Sequence, residues 1–113
     1  MLGQVTVIGC GLIGGSLVKA LRARGGADRL CAIDAAAVLA EAAPFVDESA
    51  EVGSARADAL VASSDLVVLA MPIGAIIASL GSVLATVRKG AVVTDTGSVK
   101  QPIVAAARSH ANA

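Results

Sequence analysis

Residues 7–17 read VIGCGLIGGSL and place four glycines where an apolar run gives way to a helical pattern. Gly9, Gly11 and Gly14 form the spacing G-x-G-x-x-G. In a dinucleotide site the first glycine makes a tight turn, the second lets backbone approach a pyrophosphate, and the third packs helix against strand. The following helix would direct its free N–H groups and positive end at the phosphates. The stretch predicts a dinucleotide-binding turn; a tight turn without a ligand is the alternative.

Asp34 is the acidic partner that such a turn requires. It lies 20 residues after Gly14, at the end of the next apolar run, which is the context of the dinucleotide fingerprint. A carboxylate there accepts both ribose hydroxyls of NAD and repels the 2′-phosphate of NADP. Three alanines follow, so no adjacent arginine would accommodate that phosphate. The sequence predicts NAD as cofactor, and the alternative role of Asp34, capping the next helix, is compatible with ribose binding.

The composition indicates an apolar α/β chain without electrostatic bias. Of 113 residues 56% are hydrophobic and 16% charged, and nine Lys/Arg balance nine Asp/Glu. Zero net charge gives no reason to expect nucleic acid, and one aromatic residue, Phe45, cannot form a base-stacking platform. No apolar run reaches the roughly 18 residues of a membrane span, and the start lacks a cationic signal region. We expect a cytoplasmic protein with a small-molecule partner and no metal site.

The two cysteines are expected to remain free thiols. Cys10 follows the first predicted strand and Cys31 lies near the start of the second. In parallel neighbours these positions are roughly 10 Å apart at about 3.3 Å per residue, which is too far for a disulfide. Free thiols are typical of a cytoplasmic protein.

Apolar runs alternate with helical spacings along the chain. This alternation predicts βαβ units and a parallel sheet with right-handed crossovers. The predicted fold class is α/β, a Rossmann-type doubly wound parallel sheet in one domain over residues 1–113, with strands 5–8 and 66–70 adjacent. The predicted strands are 5–8, 30–33, a short one near Phe45–Val46, 66–70 and 91–95, and the predicted helices are 12–24, 35–43, 57–63, 74–87 and one from around Pro102.

Two further strand ends are expected to border the cofactor, because ligands of open α/β sheets lie along the carboxyl ends of the strands. They are AMPIG at 70–74 and DTGSVK at 95–100. Ser98 and Lys100 would lie near the nicotinamide half, although a helix cap is the alternative role of Ser98 and a solvated position that of Lys100. The predicted cofactor-binding residues are Gly9, Gly11, Leu12, Ile13, Gly14, Asp34, Ala70, Met71, Pro72 and Ser98.

Three segments resemble the prephenate and arogenate dehydrogenases of tyrosine biosynthesis. They are VTVIGCGLIGGSLVKALRARG at 5–25, DLVVLAMPIGAI at 65–76 and KGAVVTDTGSVKQPIV at 89–104. Related β-hydroxyacid and pyrroline-carboxylate dehydrogenases share the first motif but not D-x-G-S-V-K. The resemblance implies an oxidoreductase that oxidises C4 of prephenate or arogenate with NAD(P), driving decarboxylation and aromatisation. It gives Ser98 the catalytic role of the active-site serine, which orients the substrate hydroxyl near the nicotinamide.

The chain departs from that family in its last residues. The family has a catalytic histidine in a G-G-H-P segment after this serine, and a helical dimerisation domain with a substrate-binding arginine. Here the one histidine is His110, in RSHANA, which we expect on the surface of the last helix. We expect a fragment of a longer homo-oligomeric dehydrogenase, truncated before its final strands and its helical dimerisation domain. Alone it would bind NAD but not catalyse. The alternatives are a nucleotide-binding module or subunit without activity of its own, and an inert fragment.

Overall fold

The computed structural model describes residues 2–9 and 11–95, in which strands and helices alternate. Each predicted helix within this range forms, and α1 has the predicted bounds. The strands are β1 (Leu2–Ile8), β2 (Ala27–Asp34), β3 (Glu48–Glu51), β4 (Leu66–Leu69) and β5 (Val92–Asp95); the helices are α1 (Leu12–Arg24), α2 (Ala36–Ala42), α3 (Ala55–Ser63) and α4 (Ile73–Thr86). Within the described ranges no helix is long and apolar enough to cross a membrane.

All five strands are parallel and lie in the order β3-β2-β1-β4-β5. The central strand β1 pairs with β2 on one side and β4 on the other, with Ile8 opposite both Ile33 and Leu69. The chain therefore moves outward from β1 to β3, crosses back, and continues from β4 on the other side. This is the doubly wound sheet that the sequence predicts, with its switch point between β1 and β4.

The residues of β1 alternate between two apolar layers, as the two-residue period of a strand requires. Val5 and Val7 pack with Val18 of α1 and with α2 on one face of the sheet. Ile8 packs with Ile76 of α4 and with α3 on the other face. Because both faces are covered, these strands read as continuous apolar runs in the sequence.

The prediction of a short strand near Phe45–Val46 is wrong. A single 3₁₀ turn, Ala43–Phe45, extends α2, because Pro44 lies in its first turn, where a missing N–H has no cost. The strand forms instead at Glu48–Glu51, whose one buried residue is Ala50. Its polar sequence carries no apolar alternation because β3 is the edge strand, where charged residues also discourage pairing with other chains.

Cys31 lies in the middle of β2 rather than near its start, because β2 begins at Ala27. Its side chain is fully buried and its thiol is not part of a disulfide. Burial raises the pKa of this thiol. The second predicted free thiol, that of Cys10, and the predicted helix from Pro102 lie outside the described residues.

At the amino edge of the sheet, Asp65 joins three strands. Its carboxylate accepts the backbone N–H of Gln4 in β1 at 2.7 Å and forms an ion pair with Arg88. Its backbone carbonyl accepts the N–H of Val92 at the start of β5. The Gln4 N–H, and then Arg88, hold the pKa of the Asp65 carboxyl below its ordinary value.

Thr6 and Ser64 form a buried hydroxyl pair next to this edge. Both residues are fully buried, and their hydroxyl oxygens lie 2.6 Å apart. Ser64 donates to the carbonyl of Leu60 at 2.6 Å, so the Thr6 hydroxyl donates to Ser64. This chain of hydrogen bonds satisfies two polar groups in an apolar layer.

Candidate functional site

The glycine turn joins β1 to α1 at the carboxyl edge, in the middle of the sheet. Gly9 donates its N–H to the carbonyl of Ile33 in β2 at 2.8 Å, and Ala70, directly after β4, donates to Ile8 at 2.8 Å. The ends of three strands are thus bonded to one another at this point. The turn has a fixed position at the switch point, where open α/β sheets bind ligands.

Gly9 and Gly14 are glycines because of contacts within the fold. Gly9 has a φ of +92°, and a Cβ there would lie 2.8 Å from Met71 Cγ and 3.0 Å from the Ala70 carbonyl. A Cβ at Gly14 would overlap the carbonyl oxygen of Gly9. The first glycine therefore makes the tight turn and the third lets α1 pack closely on β1, as the sequence predicts.

Gly11 differs from both, because a Cβ there would meet nothing within 4 Å. It is exposed and is the N-cap of α1, with no side-chain hydrogen bond at the cap and no acidic residue in the first turn. The first N–H groups of a helix have no partner within that helix, and its N-terminus carries partial positive charge. Leu12 and Ile13 are the first two residues of that helix. The geometry therefore leaves room for an anion to approach α1 along its axis.

Asp34 lies at the carboxyl end of β2, beside the glycine turn. It is half-buried, and its Oδ1 accepts the backbone N–H of Ala35 at 2.7 Å. The alternative role as N-cap of α2 is wrong, because the cap is Ala35 and has no side-chain hydrogen bond. Helix α2 begins directly after Asp34 and Ala35, and its sequence, AAVLAEA, contains no Lys or Arg.

Ala70, Met71 and Pro72 border the glycine turn on the β4 side. Ala70 and Met71 are half-buried and lie against Gly9, and Met71 also packs on the layer under α4. Pro72 is the N-cap of α4, and its carbonyl accepts the N–H groups of Ala75 and Ile76. The structure therefore brings these three residues together with Gly9, Gly11 and Asp34 at one edge.

An apolar cleft, which we call the α3/α4 cleft, opens at the same edge. Its volume is about 210 Å³. Its floor is formed by Ile8 and Ile33, the last apolar residues of β1 and β2, and Val52 and Gly53 form its rim. The backbone N–H of Val52 donates to the Asp34 carbonyl at 3.1 Å, which places the rim next to that aspartate.

Sequence reasoning missed Val52 and its turn, because it did not locate β3. The signal present was Gly53 followed by Ser54, a residue favoured as a helix N-cap, directly before α3. A second cleft of about 400 Å³ lies between α1 and α2 and reaches Gly11. Ser98, Lys100 and His110 lie outside the described residues. In the part of the chain that the structure describes, no group of three His, Cys, Asp or Glu side chains could hold a metal ion.

The structure is similar to solved structures of two dehydrogenases. Arogenate dehydrogenase from Synechocystis superposes with a TM-score of 0.82 at 28% identity, over 96% of this chain and 38% of that one. Prephenate dehydrogenase from Aquifex aeolicus superposes with a TM-score of 0.80 at 26% identity, over 94% and 38%. A complex of the A. aeolicus enzyme with hydroxyphenyl propionate and NAD+ shares the fold at 24% identity, with a TM-score of 0.77 over 97% and 39%.

The chain spans less than two fifths of the length of these structures. A comparison with curated protein sequences found no significant match. Residues 17–113 match the family described as "Prephenate dehydrogenase, nucleotide-binding domain". This match begins after the glycine turn, so it is independent of the G-x-G-x-x-G spacing. The chain belongs to the prephenate dehydrogenase nucleotide-binding domain family.

Proposed function

We propose that the chain is the NAD-binding part of a prephenate or arogenate dehydrogenase. The observation that carries this proposal is the open space at Gly11. Contacts within the fold account for Gly9 and Gly14, whereas no such contact accounts for Gly11. A residue without a side chain at the uncapped N-terminus of a helix suits the close approach of a pyrophosphate.

The neighbouring groups fit the rest of the dinucleotide. With the pyrophosphate at Gly11, the adenosine ribose would lie at Asp34, whose carboxylate can accept hydroxyl hydrogen bonds. The base would enter the α3/α4 cleft, since an apolar floor of Ile8 and Ile33 suits a planar ring. The nicotinamide half would extend past Ala70 and Met71 toward the carboxyl end of β5.

The choice of NAD over NADP rests on Asp34. With NAD, its carboxylate accepts charge-assisted hydrogen bonds, each worth roughly 1.5–3 kcal/mol. With NADP, it would face a phosphate, and the three residues that follow are alanines. The two effects act in the same direction, so we expect NAD to bind at least about tenfold more tightly.

When bound, NAD would supply the hydride acceptor for oxidation of the substrate. We propose that Ser98 orients the substrate hydroxyl, as the resemblance to the family implies. A general base must also take the hydroxyl proton, and the one histidine of the chain, His110, lacks the surrounding G-G-H-P motif. We therefore expect these 113 residues to show no prephenate- or arogenate-dependent NADH formation. Turnover that is lost on His110→Ala would contradict this assignment.

The proposal places the protein in the cytoplasm, in tyrosine biosynthesis, and as part of a homo-oligomer. Self-association is supported by β5, which lies at the edge of the described sheet, with the Val92 side chain 58% exposed. An exposed apolar side chain on an edge strand favours contact with another chain.

Calorimetric titration of the 113-residue chain tests the proposal. We expect binding of NAD, binding of NADP at least about tenfold weaker, and no binding of either to Gly11→Val, whose side chain would occupy the pyrophosphate space. The unfolding midpoint of Gly11→Val shows that this variant is folded. Equal or tighter binding of NADP would refute the role of Asp34, and absence of NAD binding would refute the proposal.

A further inference from the structure

The segment from Glu51 to Ser54 forms a hydrogen-bonded turn between β3 and α3. The hydroxyl of Ser54 donates to the Glu51 carbonyl at 2.7 Å, and the Ser54 N–H donates to the same carbonyl at 3.2 Å. Gly53 has a φ of +82°, which suits a glycine in a tight turn. The Ser54 hydroxyl also accepts the N–H of Ala57, which caps α3. One side chain thus fixes both the turn and the start of the helix.

This turn holds Val52 in solvent at the rim of the α3/α4 cleft. The side chain of Val52 is 65% exposed, and Val52 and Val92 are the two exposed large hydrophobic residues among the side chains whose exposure the structure describes. Its N–H donates to the carbonyl of Asp34, the residue proposed to bind the ribose. Val52 lines the α3/α4 cleft together with Ile8 and Ile33, and an apolar side chain in such a cleft suits contact with a planar ring.

We infer that Ser54 is a positioning residue for the base half of the dinucleotide, acting through Val52. The inference rests on the proposed binding of NAD. A base that enters the α3/α4 cleft beside Asp34 would pass Val52, which would cover one face of the ring. Ser54 keeps the Val52 side chain in place before the ligand binds, so that no affinity is lost in ordering the turn.

The Ser54 hydroxyl has two effects that an experiment can separate, because it stabilises α3 and also fixes the turn before it. A loss of the cap alone would lower stability without favouring one ligand over another. Positioning of Val52 affects only ligands that carry the adenine base. The ratio of affinities for AMP and for nicotinamide mononucleotide, which lacks adenosine, therefore separates the two roles.

NMR titrations of the 113-residue chain with AMP, nicotinamide mononucleotide and NAD test the inference. We expect Ser54→Ala to weaken AMP and NAD binding about threefold to tenfold and to leave nicotinamide mononucleotide binding unchanged. Ser54→Thr, which retains a donor and an acceptor, should restore the affinity. Ser63→Ala is the matched control, since the Ser63 hydroxyl lies at the far end of α3 and donates within that helix.

A double-mutant cycle tests whether Ser54 acts through Val52. In a Val52→Ala background, Ser54→Ala should cause no further loss of AMP affinity. Additive losses, equal weakening of both mononucleotides, or an unchanged AMP affinity in Ser54→Ala would each overturn the inference. If the wild-type chain does not bind NAD, the proposed function fails instead, so the two failures are distinguishable.

Discussion

At the amino edge of the sheet the polar side chains bond to one another, whereas the carboxyl edge leaves open space beside Gly11. Asp65, Gln4 and Arg88 form one cluster at the amino edge, and the Thr6 and Ser64 hydroxyls pair beside it. The carboxyl edge combines an uncapped helix N-terminus, an open glycine, a half-buried aspartate and an exposed valine. Contacts within the fold account for the groups at the first edge, whereas no such contact accounts for the glycine at position 11 of the second.

This difference leads to a general expectation about substitutions. Changes at the amino edge should alter stability and leave nucleotide affinity unchanged. Changes at Gly11 and Asp34 should alter nucleotide affinity more than stability. Gly14 is the exception, because it lies at the carboxyl edge but contacts only the fold.

Gly14→Ala should have the largest effect on stability. In an open helix position alanine stabilises by about 1 kcal/mol relative to glycine, but here its Cβ would overlap the Gly9 carbonyl. We expect a net loss of about 3 kcal/mol or more in the free energy of unfolding, as in other overpacked sites. Urea denaturation measures this loss, with Gly11→Ala as the control, expected to lose no more than about 1 kcal/mol. A Gly14→Ala variant as stable as the wild type would contradict the explanation that close contact with the Gly9 carbonyl requires a glycine at position 14.

Ser64→Ala should have the next largest effect, because it leaves the buried Thr6 hydroxyl without its acceptor. We expect a loss of about 1–3 kcal/mol in the free energy of unfolding. The double variant Thr6→Val/Ser64→Ala should be closer to the wild type, since both polar groups are then removed. NAD affinity measured at a temperature where each variant is folded should be unchanged. A double variant less stable than Ser64→Ala would show that the pair is not the source of the effect.

Asp34→Ala should act more on affinity than on stability, where it removes the acceptor of the Ala35 N–H. Loss of one charge-assisted hydrogen bond to the ribose is expected to weaken NAD about tenfold and to change NADP binding much less. The difference between the affinities for NAD and NADP should therefore become smaller, mainly through weaker NAD binding. Calorimetry with both cofactors measures it, and urea denaturation shows whether stability is preserved. An unchanged ratio of affinities would mean that Asp34 does not select the cofactor.

The sequence predicts the carboxyl edge better than it predicts the segment between α2 and α3. The strands β1, β2, β4 and β5 are apolar runs, and the glycines of the turn have fixed spacing, so both are visible without the structure. α1 has its predicted bounds because Gly25 adopts the left-handed conformation that ends the helix. These features are local in the chain, and local features can be predicted from a pattern.

The segment around β3 depends on contacts between distant residues. Glu48–Glu51 is a strand because it pairs with β2, with Cys31 opposite Glu48 and Asp34 opposite Glu51. Its own residues have little preference for strands. Val52 was missed for the same reason, since its position beside Asp34 follows from that pairing. The amino-edge cluster was also missed, because Gln4 and Asp65 are 61 residues apart in the chain.

Asp65→Asn should have the smallest effect on stability, and the size of this effect depends on pH. The pKa of Asp65 is lowered in the folded chain by the Gln4 N–H and by Arg88, so the carboxylate contributes stability above the unfolded pKa of about 3.9. That contribution is lost as the pH falls below this value through the folded pKa. Thermal unfolding between pH 5 and pH 2 should therefore show a smaller decrease of Tm for Asp65→Asn than for the wild type. Arg88→Gln should change the profile less, because the Gln4 N–H is the larger cause of the shift. Wild-type and Asp65→Asn profiles that run parallel through this range would show that the charge on Asp65 does not stabilise the amino edge.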